Sequence, residues 1–192
     1  MDAEKRNIEV LKENDVLTQA RAYVPNGEKA GFVEYVSTRC FDRMELTTEE
    51  GEAVPPLWKE NAARKMRYMT AALARLYLAL PVGDDRWELT DEMYDRLAES
   101  QLISQLERLK KSTKNPVLRD KIYDLLADYR VLEKLLNSEC FGLLNAMNDT
   151  VARLKSLLSA AVTPEALQAI QAQAEEVKGE LDAYLNSRGR TQ

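Results

Sequence analysis

The sequence predicts an all-α protein, an antiparallel helical bundle built around one long central helix over about 115–160 with a C-terminal helix folded back on it. Three observations predict this. Apolar residues recur at three and four without losing phase from Leu118 to Leu158. Only 7 Gly and 6 Pro interrupt 192 residues rich in Leu, Ala, Glu, Lys and Arg. Shortly after the long stripe ends, Thr163-Pro164-Glu165 supplies a cap, a proline at the first helical position and an acid in the first turn.

In chain order, residues 2 to about 22 read as a polar helix with a thin stripe of Ile8, Leu11, Val16 or Leu17, and Ala20, ended by a turn at Pro25-Asn26-Gly27. Over 28–46, Phe32, Val36, Cys40 and Met44 with Tyr35 have helical spacing, whereas Phe32 to Thr38 is rich in strand formers. A helix is the reading taken, with a short hairpin as its competitor. Thr47 to Pro56 is an acidic loop closed by two prolines, and a helix follows from Leu57 to about Leu80. Thr90 caps a helix from Asp91 to about Lys111 whose core side is Met93, Leu97, Leu102, Leu106 and Leu109. Ser112 to Lys114 is a short basic link.

Asn115-Pro116 then starts the long helix. Asn caps the first amides, and proline loses nothing at a position whose N–H has no partner. The stripe Leu118, Ile122, Leu125, Tyr129, Leu132, Leu136, Cys140, Leu143, Met147, Val151, Leu154, Leu158 stays within an arc of roughly 100°. It does not drift as a strict heptad does, so a nearly straight helix is expected. Gly142 costs about 1 kcal/mol relative to Ala, and Asn148-Asp149-Thr150 resembles a second cap, but the phase is kept across both. In the last segment Leu167, Ile170, Ala174, Val177, Leu181 and Tyr184 follow a heptad. The link before Thr163 is short, which requires an antiparallel return. The organisation expected is a 1–112 N-terminal helical region and a 113–192 αα-hairpin, forming one compact unit.

The chain has no histidine, which removes histidine-based triads, zinc sites with imidazole ligands and the Glu-x-x-His helices of di-iron bundles. Cys40 has Arg39 and Arg43 beside it but no imidazole base; it and Cys140 fall on apolar phases and read as reduced core thiols of a cytoplasmic protein. No cofactor or metal is expected. The acids Asp120, Asp124 and Asp128 share one helix face 80–170° from the stripe at about 100° per residue, and read as solvated. Glu49-x-x-Glu52 with Glu88-x-x-Asp91 or Glu92-x-x-Asp95 is similar to the acid pairs of all-helical nucleotide pyrophosphatases, which implies a Mg²⁺-dependent nucleotide hydrolase as a rival reading. The first pair, however, lies in an expected loop, where its acids need not share a face.

Two basic clusters give a nucleic-acid-binding rival. One is Lys59, Arg64, Lys65, Arg67 and Arg75 with Trp58 and Tyr68; the other is Arg108, Lys110, Lys111, Lys114, Arg119 and Lys121 beside the Asn115 helix start, where free amides could hold phosphate. A net charge of −5 argues against nonspecific binding over the whole surface. Leu135 and Gly142 lie 100–130° off the stripe at about 100° per residue, on a face where a mid-helix glycine has no visible return. The reading taken is a non-enzymatic accessory or regulatory protein, of the kind a phage or mobile element encodes. It would act through that face on another protein or a second copy of itself. No segment reads as membrane-spanning, because the apolar run Tyr68 to Val82 is short and broken by Arg75 and Pro81.

Overall fold

A computed structural model describes residues 11–47, 53–80, 87–160 and 172–179. The described chain is mostly helical. Its elements are α1 (Glu13–Thr18), α2 (Asn26–Ser37), β1 (Phe41–Thr47), β2 (Ala53–Glu60), α3 (Ala62–Ala72), a π-helix (Leu73–Tyr77), α4 (Asp91–Ser100), α5 (Leu102–Ser112) and α6 (Pro116–Ala160), followed by a helix α7 over 172–179. Two compact units divide the chain: Met1–Cys40 with Asn61–Glu139, and Phe41–Glu60 with Cys140–Gln192.

In the first unit, α6 buries Leu118, Ile122, Leu125, Leu126, Tyr129, Leu132 and Leu136. All but Leu126 are stripe residues read from the sequence, and Leu126, beside Leu125, widens the buried face. Asn115 caps the helix as expected, its Oδ1 accepting from the N–H groups of Val117 (3.0 Å) and Leu118 (3.3 Å). Met69 of α3 and Tyr77 of the π-helix, both buried, meet this helix: the Tyr129 hydroxyl donates to the Met69 carbonyl at 3.3 Å, and the Tyr77 ring lies edge-on to that of Tyr129.

Four expectations are corrected. Pro25-Asn26-Gly27 does not end a helix; it begins α2, with Lys29 N–H donating to the Pro25 carbonyl at 3.1 Å. The segment 28–46 is half helix and half strand: α2 runs to Ser37 and takes in nearly all of the strand-former run Phe32–Thr38, seating Phe32 and Val36 in the core, while β1 follows over Phe41–Thr47. Pro55 and Pro56 belong to a strand. Met44 pairs with Leu57 and Leu46 with Val54, so the two prolines stand opposite Glu45 alone in a β-bulge, where a missing N–H costs no ladder bond. The helix expected from Leu57 accordingly starts only at Ala62, after Asn61 accepts from Arg64 N–H at 2.8 Å.

The fourth correction is at Gln101, which takes left-handed backbone angles (φ 51°, ψ 50°) and splits the expected 91–111 helix into α4 and α5. The step of five from Leu97 to Leu102 requires it. In one unbroken helix those two residues would lie about 140° apart, whereas here both are buried. Thr90 caps α4 as expected, accepting from Met93 N–H at 3.2 Å.

The second unit contains the antiparallel β1–β2 hairpin and α6 from Cys140 onward. Cys140 and Leu143 are buried, and Met147, Val151 and Leu154 are half-buried. The helix passes Gly142 and Asn148-Asp149-Thr150 without a break. Most of the C-terminal heptad lies outside the described residues; of its members, Ala174 and Val177 fall on α7.

Candidate functional site

The first unit is organised around a buried charge. Lys29, on the inner face of α2, is 1% exposed. Its Nζ forms an ion pair with Asp128 Oδ1 and lies 4.4 Å from the centre of the Tyr23 ring. Asp128 Oδ2 accepts from Val24 N–H (3.0 Å) and from the Tyr77 hydroxyl (2.9 Å). The π-helix sets Tyr77 there. One extra residue per turn rotates its ring toward α6, where it meets Tyr129 edge-on with centroids 5.7 Å apart.

Burial alone would raise the Asp128 carboxyl, but the hydrogen bonds from Lys29, Val24 and Tyr77 outweigh it and hold the group below the usual carboxylate range. The Tyr77 phenol is pushed up, by burial first and then by its bond to Asp128. This group is a clamp. The lysine amine is enclosed and already paired, so it offers no nucleophile to solvent.

The clamp fastens the segment before α2 to the helices. Leu11 N–H donates to Gln105 Oε1 (2.8 Å), Lys121 Nζ to the Leu17 carbonyl (2.6 Å), and Arg21 N–H to the Tyr77 carbonyl (2.8 Å), while Val16, Ala20 and Val24 are buried. Reading Asp120, Asp124 and Asp128 as one solvated row is therefore corrected at its last member. Asp120 and Asp124 are exposed, but Asp128 is ion-paired. The signal lay in its phase, the nearest of the three to the apolar stripe.

The structure uses several of the predicted phosphate-binding cations internally. Arg64 Nη1 donates to the Arg39 carbonyl at 3.0 Å. Arg67 donates to the Leu89 carbonyl at 3.2 Å, pairs with Asp91 and lies 5.1 Å from the Tyr94 ring centre. Lys110 pairs with Glu107 at 2.5 Å, a bond that holds this carboxyl below its ordinary range. Lys65 is half-buried on α3; Lys59 on β2, Lys111 on α5 and Lys114 in the following link are exposed. The amides expected to be free at the start of α6 are capped by Asn115, which corrects that anion-site expectation.

Of the paired acids, Glu49 and Glu52 lie outside the described residues. Asp91 is held by Arg67, and Glu88 Oε1 accepts from the Tyr35 hydroxyl at 3.4 Å. Cys40 and Cys140 are both buried. No helix among the described residues is long and apolar enough to cross a membrane.

A face of α6 remains exposed. Val131 is 48% exposed and Leu135 45%, on the side of the helix away from the buried stripe. Gly142, on the same face as Leu135, is exposed, and a Cβ there would meet nothing within 4 Å. Further along, Arg153, Ser156 and Leu157 of α6 line an open cleft of about 410 Å³ with Gln173, Glu176 and Val177 of α7.

No protein-family model, curated protein or solved structure matches the chain.

Proposed function

We propose that the protein is a non-enzymatic, cytoplasmic accessory or regulatory protein that acts by presenting the exposed face of α6 to another protein. The observation that carries this reading is the pair of half-exposed apolar side chains Val131 and Leu135, one turn apart on a helix whose opposite stripe is buried. A single exposed leucine needs no explanation; two neighbouring apolar side chains on one outward helix face support a contact surface.

The antiparallel bundle belongs to the same reading. It is supported by the cleft that α7 shares with Arg153, Ser156 and Leu157, the side to which a short return from α6 would bring it.

Recovery of the tagged protein from its native cell at rising salt tests the proposal. A protein that stays bound through high salt, and is lost with Leu135→Asp, supports apolar helix packing. A nucleic acid that is released steeply as salt rises, and that survives Leu135→Asp, would instead assign function to the exposed lysines Lys59, Lys111 and Lys114.

A further inference from the structure

The cleft between α6 and α7 in the second unit has the form of a helix groove, and we propose that the same groove of a second copy of this chain closes it, about a two-fold axis running along the groove. The proposal is independent of the contact face at Val131 and Leu135.

The two helices line the cleft with one spacing, i, i+3 and i+4: Arg153, Ser156 and Leu157 on α6, and Gln173, Glu176 and Val177 on α7. That spacing presents a single face of each helix. On both faces the last residue is apolar and half-buried, and the other two are polar and exposed. The floor of the cleft is therefore apolar and its walls are polar. With walls this exposed, a small molecule in the cleft would stay largely in water, whereas small-molecule pockets bury most of their ligand. A pair of helices, long and apolar along one stripe, suits it better.

Two observations name the occupant. The stripe of α6 is buried at every member from Leu118 to Leu143 but only half-buried at Met147, Val151 and Leu154, so the second unit retains apolar surface to cover. Arg153 and Glu176 stand on opposite walls, and among the described residues neither forms an ion pair or hydrogen bond, with the other or with any other group. A second copy brings the same two charges in inverted order. An axis along the groove lays α6 of one copy over α7 of the other, so Arg153 of each copy faces Glu176 of the other. Leu157 and Val177 of both copies then meet between the walls, enclosed as in a bundle core. An axis across the groove would instead oppose Arg153 to Arg153 and Glu176 to Glu176. Self-complementarity of this kind is what an isologous interface requires.

Sedimentation equilibrium of the full chain tests the proposal. A reversible dimer is expected. Arg153→Glu and Glu176→Arg should each weaken it about ten-fold, because each turns both attractive contacts into repulsive ones. An equimolar mixture of the two variants should associate as the wild type does, since one chain then carries only acids at these positions and the other only bases. The double variant Arg153→Glu/Glu176→Arg should also recover. Both residues are exposed, so the far-UV circular dichroism of every variant should match that of the wild type. Recovery in the mixture reports charge matching between copies, which no change confined to one chain produces.

A chain that stays monomeric overturns the proposal. So does a dimer indifferent to both single reversals, the result for an axis across the groove, and so does a mixture that associates no better than its two components.

Discussion

Lys29 and Asp128 lie 99 positions apart and meet as an ion pair inside the first unit, with the lysine 1% exposed and the carboxylate also bonded to Val24 and Tyr77. Removing one partner leaves the other charge buried. Asp128→Leu, and separately Lys29→Met, should therefore lower unfolding free energy by about 3–5 kcal/mol. Lys29→Met combined with Asp128→Leu should cost much less than the sum of the single changes. Urea unfolding of the four proteins checks this through the coupling energy.

The same pair predicts a pH dependence. The Asp128 carboxyl is depressed in the folded state, so its contribution is complete above the unfolded carboxylate pKa, about 3.9. It is lost as pH falls through the lower folded value. Thermal scans of the wild type should thus lose stability below about pH 4 more steeply than scans of Asp128→Asn. Parallel acid limbs for the two proteins would show that Asp128 is not the group responsible.

Tyr77→Phe removes one donor to a charged acceptor without changing the ring. A loss of about 1.5–3 kcal/mol is expected, together with an Asp128 carboxyl that titrates at higher pH, read by NMR of its side-chain carbon.

This clamp was the least legible part of the sequence. Local spacing reads local structure well. The Asn115 and Thr90 caps and the stripe from Leu118 to Leu143 stand where periodicity places them. A lysine and an aspartate that meet across distant segments leave only a weak trace, here the tilt of Asp128 toward the apolar stripe. The β-hairpin escaped because Pro55-Pro56 is a strong loop signal in isolation, and only the register opposite Glu45 shows that a bulge absorbs it. The exposed face at Leu135 and Gly142 was readable because helical phase alone locates it.

Gln101→Gly tests the break between α4 and α5. Left-handed backbone angles cost a non-glycine residue roughly 1–2 kcal/mol, partly offset by the greater freedom of glycine in the unfolded chain. A net gain of up to about 1 kcal/mol is expected, measured by chemical denaturation. A loss would mean that the Gln101 side chain contributes more than its backbone strain costs.

Gly142→Ala separates the monomer from its contacts. Open space surrounds the new methyl in the single chain, so in dilute solution the variant should be more stable by about 0.5–1 kcal/mol through helix propensity. At concentrations where the face is occupied, the same methyl should weaken association.

Photo-crosslinking in the native cell, with a benzophenone side chain in place of Leu135 and a control probe at exposed Met66 on α3, asks whether the exposed face of α6 is a protein contact surface. A discrete protein adduct from position 135, either a second copy of the chain or another protein, is expected, and none from position 66. Adducts to nucleic acid, or a probe at 135 that captures nothing beyond the control, would show that the face is not such a surface.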